Sequence, residues 1–128
     1  MAHARVVLAD DHPAVAKQLQ SLLETRFEVV ATVGDGIALI AAANEFEPDV
    51  IVTDVSMPGI DGLSAAERIL ERSPGTRIVI ITVHDEPELR AKAYLIGACG
   101  YVLKRLAGEE LVMVIDEALE NRRLVGEG

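Results

Sequence analysis

The stretch from Val50 to Gly62 constrains the fold of this chain more than any other part. It opens with three β-branched apolar residues, which are typical of a strand buried on both faces of a parallel sheet. Asp54 follows before a Pro-Gly pair imposes a turn, and Asp61 then precedes an amphipathic run that it is placed to cap as a helix. The stretch therefore predicts a carboxylate held at the exposed end of a buried strand.

Other strand ends carry polar side chains as well. Two aspartates follow the apolar strand at 5–9, a threonine ends the strand at 77–82, and a lysine follows the strand at 101–103. Each acid by itself could simply be a helix N-cap or a loop residue. That explanation does not account for polar side chains at the ends of several strands. Ligands of an open parallel α/β sheet bind at the carboxyl ends of its strands. We therefore predict one shared pocket, formed by Asp10, Asp11, Asp54, Thr82 and Lys104.

Strands and helices alternate five times along the chain, at the spacing of βαβ units. We predict an α/β fold of the flavodoxin-like (βα)5 type, with a doubly wound parallel five-stranded sheet. The predicted strand order is 2-1-3-4-5, since that order brings the polar strand ends together. The predicted strands are 5–9, 28–33, 50–52, 77–82 and 101–103, and the predicted helices are 13–23, 37–46, 62–71, 87–97 and a last one that includes 111–119.

Composition narrows the class of protein. Hydrophobic residues make up 50% and aromatic residues 3% of the 128 residues, so the core must be aliphatic. A net charge of −9 repels nucleic acid and anionic lipid, so the chain should not bind DNA by itself. The single cysteine, Cys99, excludes an intrachain disulfide and a zinc site of the usual type. With no apolar run near the roughly 18 residues of a membrane span and no signal peptide, we expect a cytoplasmic protein.

The predicted pocket suits phosphoryl transfer to a carboxylate. Three clustered carboxylates repel one another unless a cation compensates them, and Mg²⁺ prefers carboxylate oxygens and water. A nearby lysine adds a positive charge that can reach a phosphoryl oxygen. A carboxylate is a known nucleophile for this reaction, in which the cation and the lysine neutralise the charge of the transferring group.

Other phosphate-handling sites fit the sequence less well. It has neither a P-loop nor a dinucleotide-binding glycine motif. Ser56 stands where a phosphatase with an aspartyl nucleophile usually carries a second aspartate as general acid. His12 and His84 could carry phosphate or bind a metal, but a helix cap and a partly exposed loop histidine are the simpler interpretations.

Four motifs at the strand ends can be compared with known families. They are Val6-Val-Leu-Ala-Asp-Asp-His-Pro13, Asp54-Val-Ser-Met-Pro-Gly-Ile-Asp-Gly62, Ile81-Thr-Val-His-Asp85 and Gly100-Tyr-Val-Leu-Lys104. With these motifs the chain resembles the receiver domain of bacterial two-component response regulators of the NarL/LuxR type, over nearly its whole length. The resemblance implies a phosphorylation-dependent signalling switch in transcription regulation, not an enzyme, with at most slow self-dephosphorylation. The implied phosphodonor is a sensor histidine kinase.

The resemblance also implies a role for each site residue. Asp54 accepts the phosphoryl group, Thr82 bonds to it and Lys104 pairs with it. Tyr101 is the aromatic switch that moves as Thr82 moves, and the expected consequence is a homodimer or the release of a DNA-binding domain. The implied cofactor is Mg²⁺, and its implied ligands are Asp10 (partly through water), Asp11, Asp54 and the backbone carbonyl of Ser56.

Family members normally carry a C-terminal helix-turn-helix domain, the only part through which this protein would contact DNA. The chain has no room for that domain, so it is either part of a longer regulator or a stand-alone receiver. We predict a receiver domain at 1–121 and the start of a linker or tail at 122–128. The linker-like composition of that tail weakly favours the longer regulator.

Four positions depart from the family pattern. Ala107 and Gly108 replace a Ser-Pro pair before the last helix, which removes a cap worth about 1 kcal/mol. Arg105 follows Lys104 where many receivers carry a cis proline, and the sequence leaves the isomer open. Leu95 is either a core residue or an exposed contact for a partner.

Two other functions stay open beside the switch. One is a pseudo-receiver, a binding module of the same fold that is never phosphorylated. The other is a small metal-dependent hydrolase, for which the sequence offers no independent general acid. The complete set of acids, threonine and lysine at the strand ends favours the switch.

Overall fold

The computed structural model describes the backbone of residues 3–127 and the side chains of residues 3–120. Five parallel strands form one sheet in the order β2-β1-β3-β4-β5, which confirms the predicted flavodoxin-like fold and strand order. No helix within the described residues is both long and apolar enough to cross a membrane. The elements are β1 (Arg5–Ala9), α1 (Pro13–Leu23), β2 (Glu28–Val33), α2 (Gly36–Phe46), β3 (Val50–Asp54), α3 (Gly62–Arg72), β4 (Arg77–Thr82), α4 (Pro87–Leu95), β5 (Gly100–Leu103), a 3₁₀ turn (Lys104–Leu106) and α5 (Ala107–Glu127).

Two aliphatic layers hold helices against the two faces of the sheet. Alternate strand residues point to opposite faces, so Ile51 belongs to one layer and its neighbour Val52 to the other. The first layer packs α2, α3 and α4, and the second packs α1 and α5. Strand β3 lies at the centre and is buried throughout, whereas the edge strand β2 is only partly buried. This packing fixes the end of β3 in the middle of the sheet edge.

Helix caps position the loops around that edge. The carboxylate of Asp61 accepts a hydrogen bond from the Ser64 N–H at 2.9 Å, which confirms it as the N-cap of α3. Asp35 caps α2 in the same way, and its bond with the Ala38 N–H measures 2.7 Å. The predicted helix ends are correct to within one or two residues. Helix α4, predicted to end at Gly97, stops at Leu95, and the glycine adopts a left-handed φ of +113° just beyond it.

The connection from β5 to α5 is not a loop that ends in a helix-capping residue. A 3₁₀ turn occupies Lys104–Leu106, so Lys104 leaves the strand directly into a tight turn and α5 follows at Ala107 without an intervening loop. The described residues contain no cis peptide bond, so the bond between Lys104 and Arg105 is trans. The backbone of α5 continues to Glu127. The predicted linker or tail at 122–128 falls on side chains outside the described residues, and its boundary stays a prediction.

Candidate functional site

The carboxyl edge of the sheet collects the predicted site residues. Asp54 is the last residue of β3 and is 5% exposed, and Asp10 follows β1 and is 3% exposed. Thr82 ends β4 and is fully buried, and Lys104 follows β5. Each lies where an aliphatic strand ends, so the rigid sheet sets the spacing of their side chains. The structure thus brings these four residues together, with Asp11 at the rim of the cluster.

Lys104 bridges two buried carboxylates. Its Nζ lies 2.8 Å from Oδ2 of Asp10 and 2.7 Å from Oδ2 of Asp54. Burial lowers the pKa of Lys104, but hydrogen bonds to both carboxylates and their charges outweigh burial and raise the pKa above 10.5. A raised pKa means that the bridge stabilises the fold fully below the ordinary lysine pKa and is lost as the pH rises through the raised value. Lys104 is therefore a charged counter-ion to the acids at neutral pH.

The second carboxylate oxygen of each buried acid accepts a hydrogen bond from a backbone N–H. Oδ1 of Asp10 accepts the His12 N–H at 2.9 Å, and Oδ1 of Asp54 accepts the Ser56 N–H at 3.3 Å. The bond from Ser56 is long, so it holds the Asp54 oxygen weakly. One carboxylate oxygen of Asp54 is therefore paired with Lys104, and the other accepts only one weak hydrogen bond.

The donor set fits a hard divalent cation. Asp10, Asp11, His12 and Asp54 each present one ligand atom, and all four atoms lie within 4.8 Å of one another. Oδ1 of Asp11 is a buried atom that accepts no hydrogen bond within the described residues. Buried carboxylate oxygens without donors are costly unless a cation is present, and carboxylates are the ligands that Mg²⁺ prefers. The predicted acids therefore lie close enough together to bind one cation.

The site opens to solvent through a surface cavity of about 480 Å³. Asp11 and Ser56 line it, together with Leu89 and Lys92 of α4. An approaching phosphodonor can therefore reach the acids from this side of the sheet edge.

A chain of two hydrogen bonds connects Thr82 to Tyr101 through the backbone of His84. The His84 N–H donates to Oγ1 of Thr82 at 3.1 Å, and the Tyr101 hydroxyl donates to the His84 carbonyl oxygen at 2.7 Å. The Tyr101 ring is buried, with 6% of the residue exposed. A displacement of the Thr82 hydroxyl therefore affects the backbone of His84, to which the Tyr101 hydroxyl is also hydrogen-bonded.

Arg90 of α4 lies against the same ring. Its guanidinium carbon is 4.7 Å from the ring centroid, within the range of a cation–π contact. Burial raises the pKa of Tyr101, and the charge of Arg90 opposes that shift. Sequence reasoning missed both Arg90 and the His84 backbone, because no residue pattern signals a backbone relay or the direction of an exposed side chain.

The structure also shows where three other residues considered in the sequence analysis lie. Leu95 is 85% exposed, so it is an exposed apolar side chain and not a core residue. His12 occupies the N-cap position of α1, but its side chain makes no capping hydrogen bond. His84 is a partly exposed loop histidine, as expected, with Nδ1 lying 3.3 Å from a Glu86 oxygen.

Residues 6–116, which contain the whole strand-end cluster, match the family model of the response regulator receiver domain. The chain belongs to that family. Receiver domains are signalling domains, and the acidic pocket described above is where they bind Mg²⁺.

Curated relatives and solved structures agree with this assignment. The chain is 40% identical over 116 residues to an uncharacterized transcriptional regulatory protein, YxjL, of Bacillus subtilis, covering 89% of this chain and 53% of the relative. It is 38% identical over 114 residues to the oxygen regulatory protein NreC of Staphylococcus aureus, covering 87% and 52%. The chain therefore spans about half the length of these relatives.

Two similar structures are regulators of the same type. The signal receiver domain of the putative response regulator NarL of Mycobacterium tuberculosis superposes with a TM-score of 0.88 at 31% identity, covering 94% of this chain and 98% of the other. A LuxR-family two-component response regulator of Aurantimonas superposes with a TM-score of 0.90 at 36% identity, covering 94% and 88%. The predicted resemblance to NarL/LuxR-type receivers is confirmed.

Proposed function

We propose that the chain is a phosphorylation-controlled switch in which Asp54 accepts a phosphoryl group from a sensor histidine kinase. The observation that carries the proposal is the Lys104 bridge, because a charged lysine 2.7 Å from the acceptor carboxylate is placed to follow a phosphoryl group added there. A pseudo-receiver, which is never phosphorylated, would need no such bridge between two buried acids. The hydrolase alternative has no added support, since Ser56 stands two residues after Asp54, where a phosphatase with an aspartyl nucleophile usually carries its general acid.

Asp54 acts as the nucleophile. One of its oxygens attacks phosphorus, and the bond from phosphorus to the kinase histidine breaks, leaving an acyl phosphate on Asp54. Asp10, Asp11 and Asp54, with the Ser56 carbonyl, would hold Mg²⁺, which neutralises charge on the transferring group when bound. Lys104 exchanges its contact with Asp54 for one with a phosphoryl oxygen, and the buried Thr82 hydroxyl donates to another.

The output begins at the two hydrogen bonds on the His84 backbone. If Thr82 turns toward the phosphoryl group, the 3.1 Å bond from the His84 N–H is lost or moved. Tyr101 is already buried here and bonded to the same residue, so the switch is a change in this loop and in the ring's contacts, not the burial of an exposed ring. The shift is limited by the difference in phosphoryl contacts between the two states.

The downstream partner is a DNA-binding output domain. The chain covers about half of relatives that include transcriptional regulators, which supports a receiver that controls a further domain. The net charge of −9 argues against DNA contact by the receiver itself. Homodimerisation after phosphorylation is part of the same proposal, with a surface that includes α4, β5 and α5 or the pair α1 and α5.

Incubation with acetyl phosphate tests the proposal. We expect the intact mass to rise by one phosphoryl group in the presence of Mg²⁺, because the donor set needs a cation to accept a charged donor. The gain should be absent with EDTA and should be removed by hydroxylamine, which cleaves acyl phosphates. No gain with Mg²⁺ and donor in excess would favour the pseudo-receiver.

The phosphorylated state should decay slowly. Val83 follows Thr82 and is 70% exposed, and we expect its branched side chain to crowd the approach of a hydrolytic water to Asp54. Ser56 carries no charge that would orient that water. Val83→Ala should shorten the lifetime of the acyl phosphate several-fold, measured as loss of added mass after donor removal. An unchanged decay rate in a variant with unchanged urea midpoint would refute this steric explanation.

A further inference from the structure

His12 is the one member of the four-residue cation cluster that the proposed function does not use. Its position follows from the backbone: Pro13 starts α1, and the His12 N–H donates to Oδ1 of Asp10 at 2.9 Å. Because of this bond and the start of the helix, the imidazole lies beside the carboxylates and makes no capping hydrogen bond to the first backbone N–H groups of α1. The side chain is 67% exposed, so it can reorient toward a bound ion at little cost.

The spacing of the imidazole and Asp11 is that of neighbouring metal ligands. Nδ1 of His12 lies 3.1 Å from Oδ1 of Asp11 and 3.5 Å from Oδ1 of Asp10. Two ligands about 2.1 Å from one ion, at right angles, are separated by about 3.0 Å. Oδ1 of Asp11 accepts no hydrogen bond within the described part of the chain. Both atoms are therefore close enough together to bind one cation.

We infer that His12 is a nitrogen ligand of the cation site and gives it a preference for divalent transition metals. This inference rests on the cation site of the proposed function and adds a selectivity to it. Mg²⁺ takes oxygen ligands and gains little from an imidazole, whereas Mn²⁺, Co²⁺ and Zn²⁺ accept imidazole nitrogen readily. The three carboxylates therefore hold either class of ion, and His12 adds affinity for the second class only.

Calorimetric titration of Co²⁺ and Mg²⁺, without any phosphodonor, tests the inference. Every protein in this experiment carries His3→Gln, which removes a second histidine near the amino end. The protein with His3→Gln alone is the reference, and it also controls for a histidine-to-glutamine substitution at a position other than His12. Adding His12→Gln should weaken Co²⁺ binding by about 10-fold or more and leave Mg²⁺ binding within about two-fold.

Pulsed electron paramagnetic resonance of bound Mn²⁺ supplies a direct readout. The protein with His12 should show coupling to a ¹⁴N nucleus, and the His12→Gln protein should not. Equal weakening of Co²⁺ and Mg²⁺ would overturn the inference and leave His12 as a residue that orients Asp11. Unchanged Co²⁺ affinity or an absent nitrogen coupling would also overturn it. Because no phosphodonor is used, a failure to phosphorylate Asp54 would not produce any of these results.

Discussion

Asp54→Asn should abolish the Mg²⁺-dependent gain of a phosphoryl group from acetyl phosphate. The amide has nearly the shape of the carboxylate, so the end of β3 should keep its place, but its oxygen is a poor nucleophile toward phosphorus. Asp10 cannot take over, because its side chain is fully buried and its two oxygens face the His12 N–H and Lys104. We expect labelling to fall below detection by intact mass within the time in which the parent protein is fully modified.

Asp61→Asn is the matched control for this prediction. It makes the same chemical change seven residues further along the same stretch, on a carboxylate that caps α3 and lies outside the acid cluster. Asparagine is also a good N-cap, so fold and labelling should both persist. Undiminished labelling of Asp54→Asn would transfer the acceptor role to another residue, which peptide mapping of the acyl phosphate would then identify.

The sequence was sufficient to predict the fold because several independent signals agreed. The aliphatic runs that end at Ala9, Asp54 and Thr82 could be stable only as buried strands, and the turn and capping residues between them marked where helices begin. The strand order then followed from the requirement that the polar ends share one edge. The placement of Asp10, Asp54, Thr82 and Lys104 at that edge was correct for the same reason.

Contacts that depend on side-chain direction could not be predicted in this way. The bridge from Lys104 to Asp10 as well as Asp54 depends on the 3₁₀ turn that follows β5, which no residue pattern announces. The burial of Tyr101 depends on a bond to a backbone carbonyl and on Arg90, which lies eleven residues away on another element. His12 was predicted at the start of α1 and does occupy its N-cap position, but no residue pattern shows that its Nδ1 lies 3.1 Å from Oδ1 of Asp11.

The start of α3 is packed directly against the end of β3, and this close approach leads to the second prediction with a large effect. The Gly62 N–H donates to the Val55 carbonyl oxygen at 2.8 Å. An added Cβ at Gly62 would overlap the Asp54 carbonyl oxygen, and it would lie 2.9 Å from the Asp54 carbonyl carbon and 3.0 Å from Oγ1 of Thr53. Most of these atoms are backbone, so they cannot rotate away, and the helix would have to move off the strand.

Gly62→Ala should therefore destabilise the protein by about 2–4 kcal/mol, measured by urea denaturation. Gly108→Ala is the matched control, because Gly108 lies in the first turn of α5 with no atom within 4 Å of an added Cβ. That control should be neutral or stabilise the fold by up to about 1 kcal/mol, since alanine is the better helix former. Gly62→Ala should also slow phosphorylation of Asp54, because the displaced carbonyl belongs to the acceptor residue. Equal urea midpoints for the two variants would mean that α3 can shift without disturbing β3, and that the acceptor is not held by this contact.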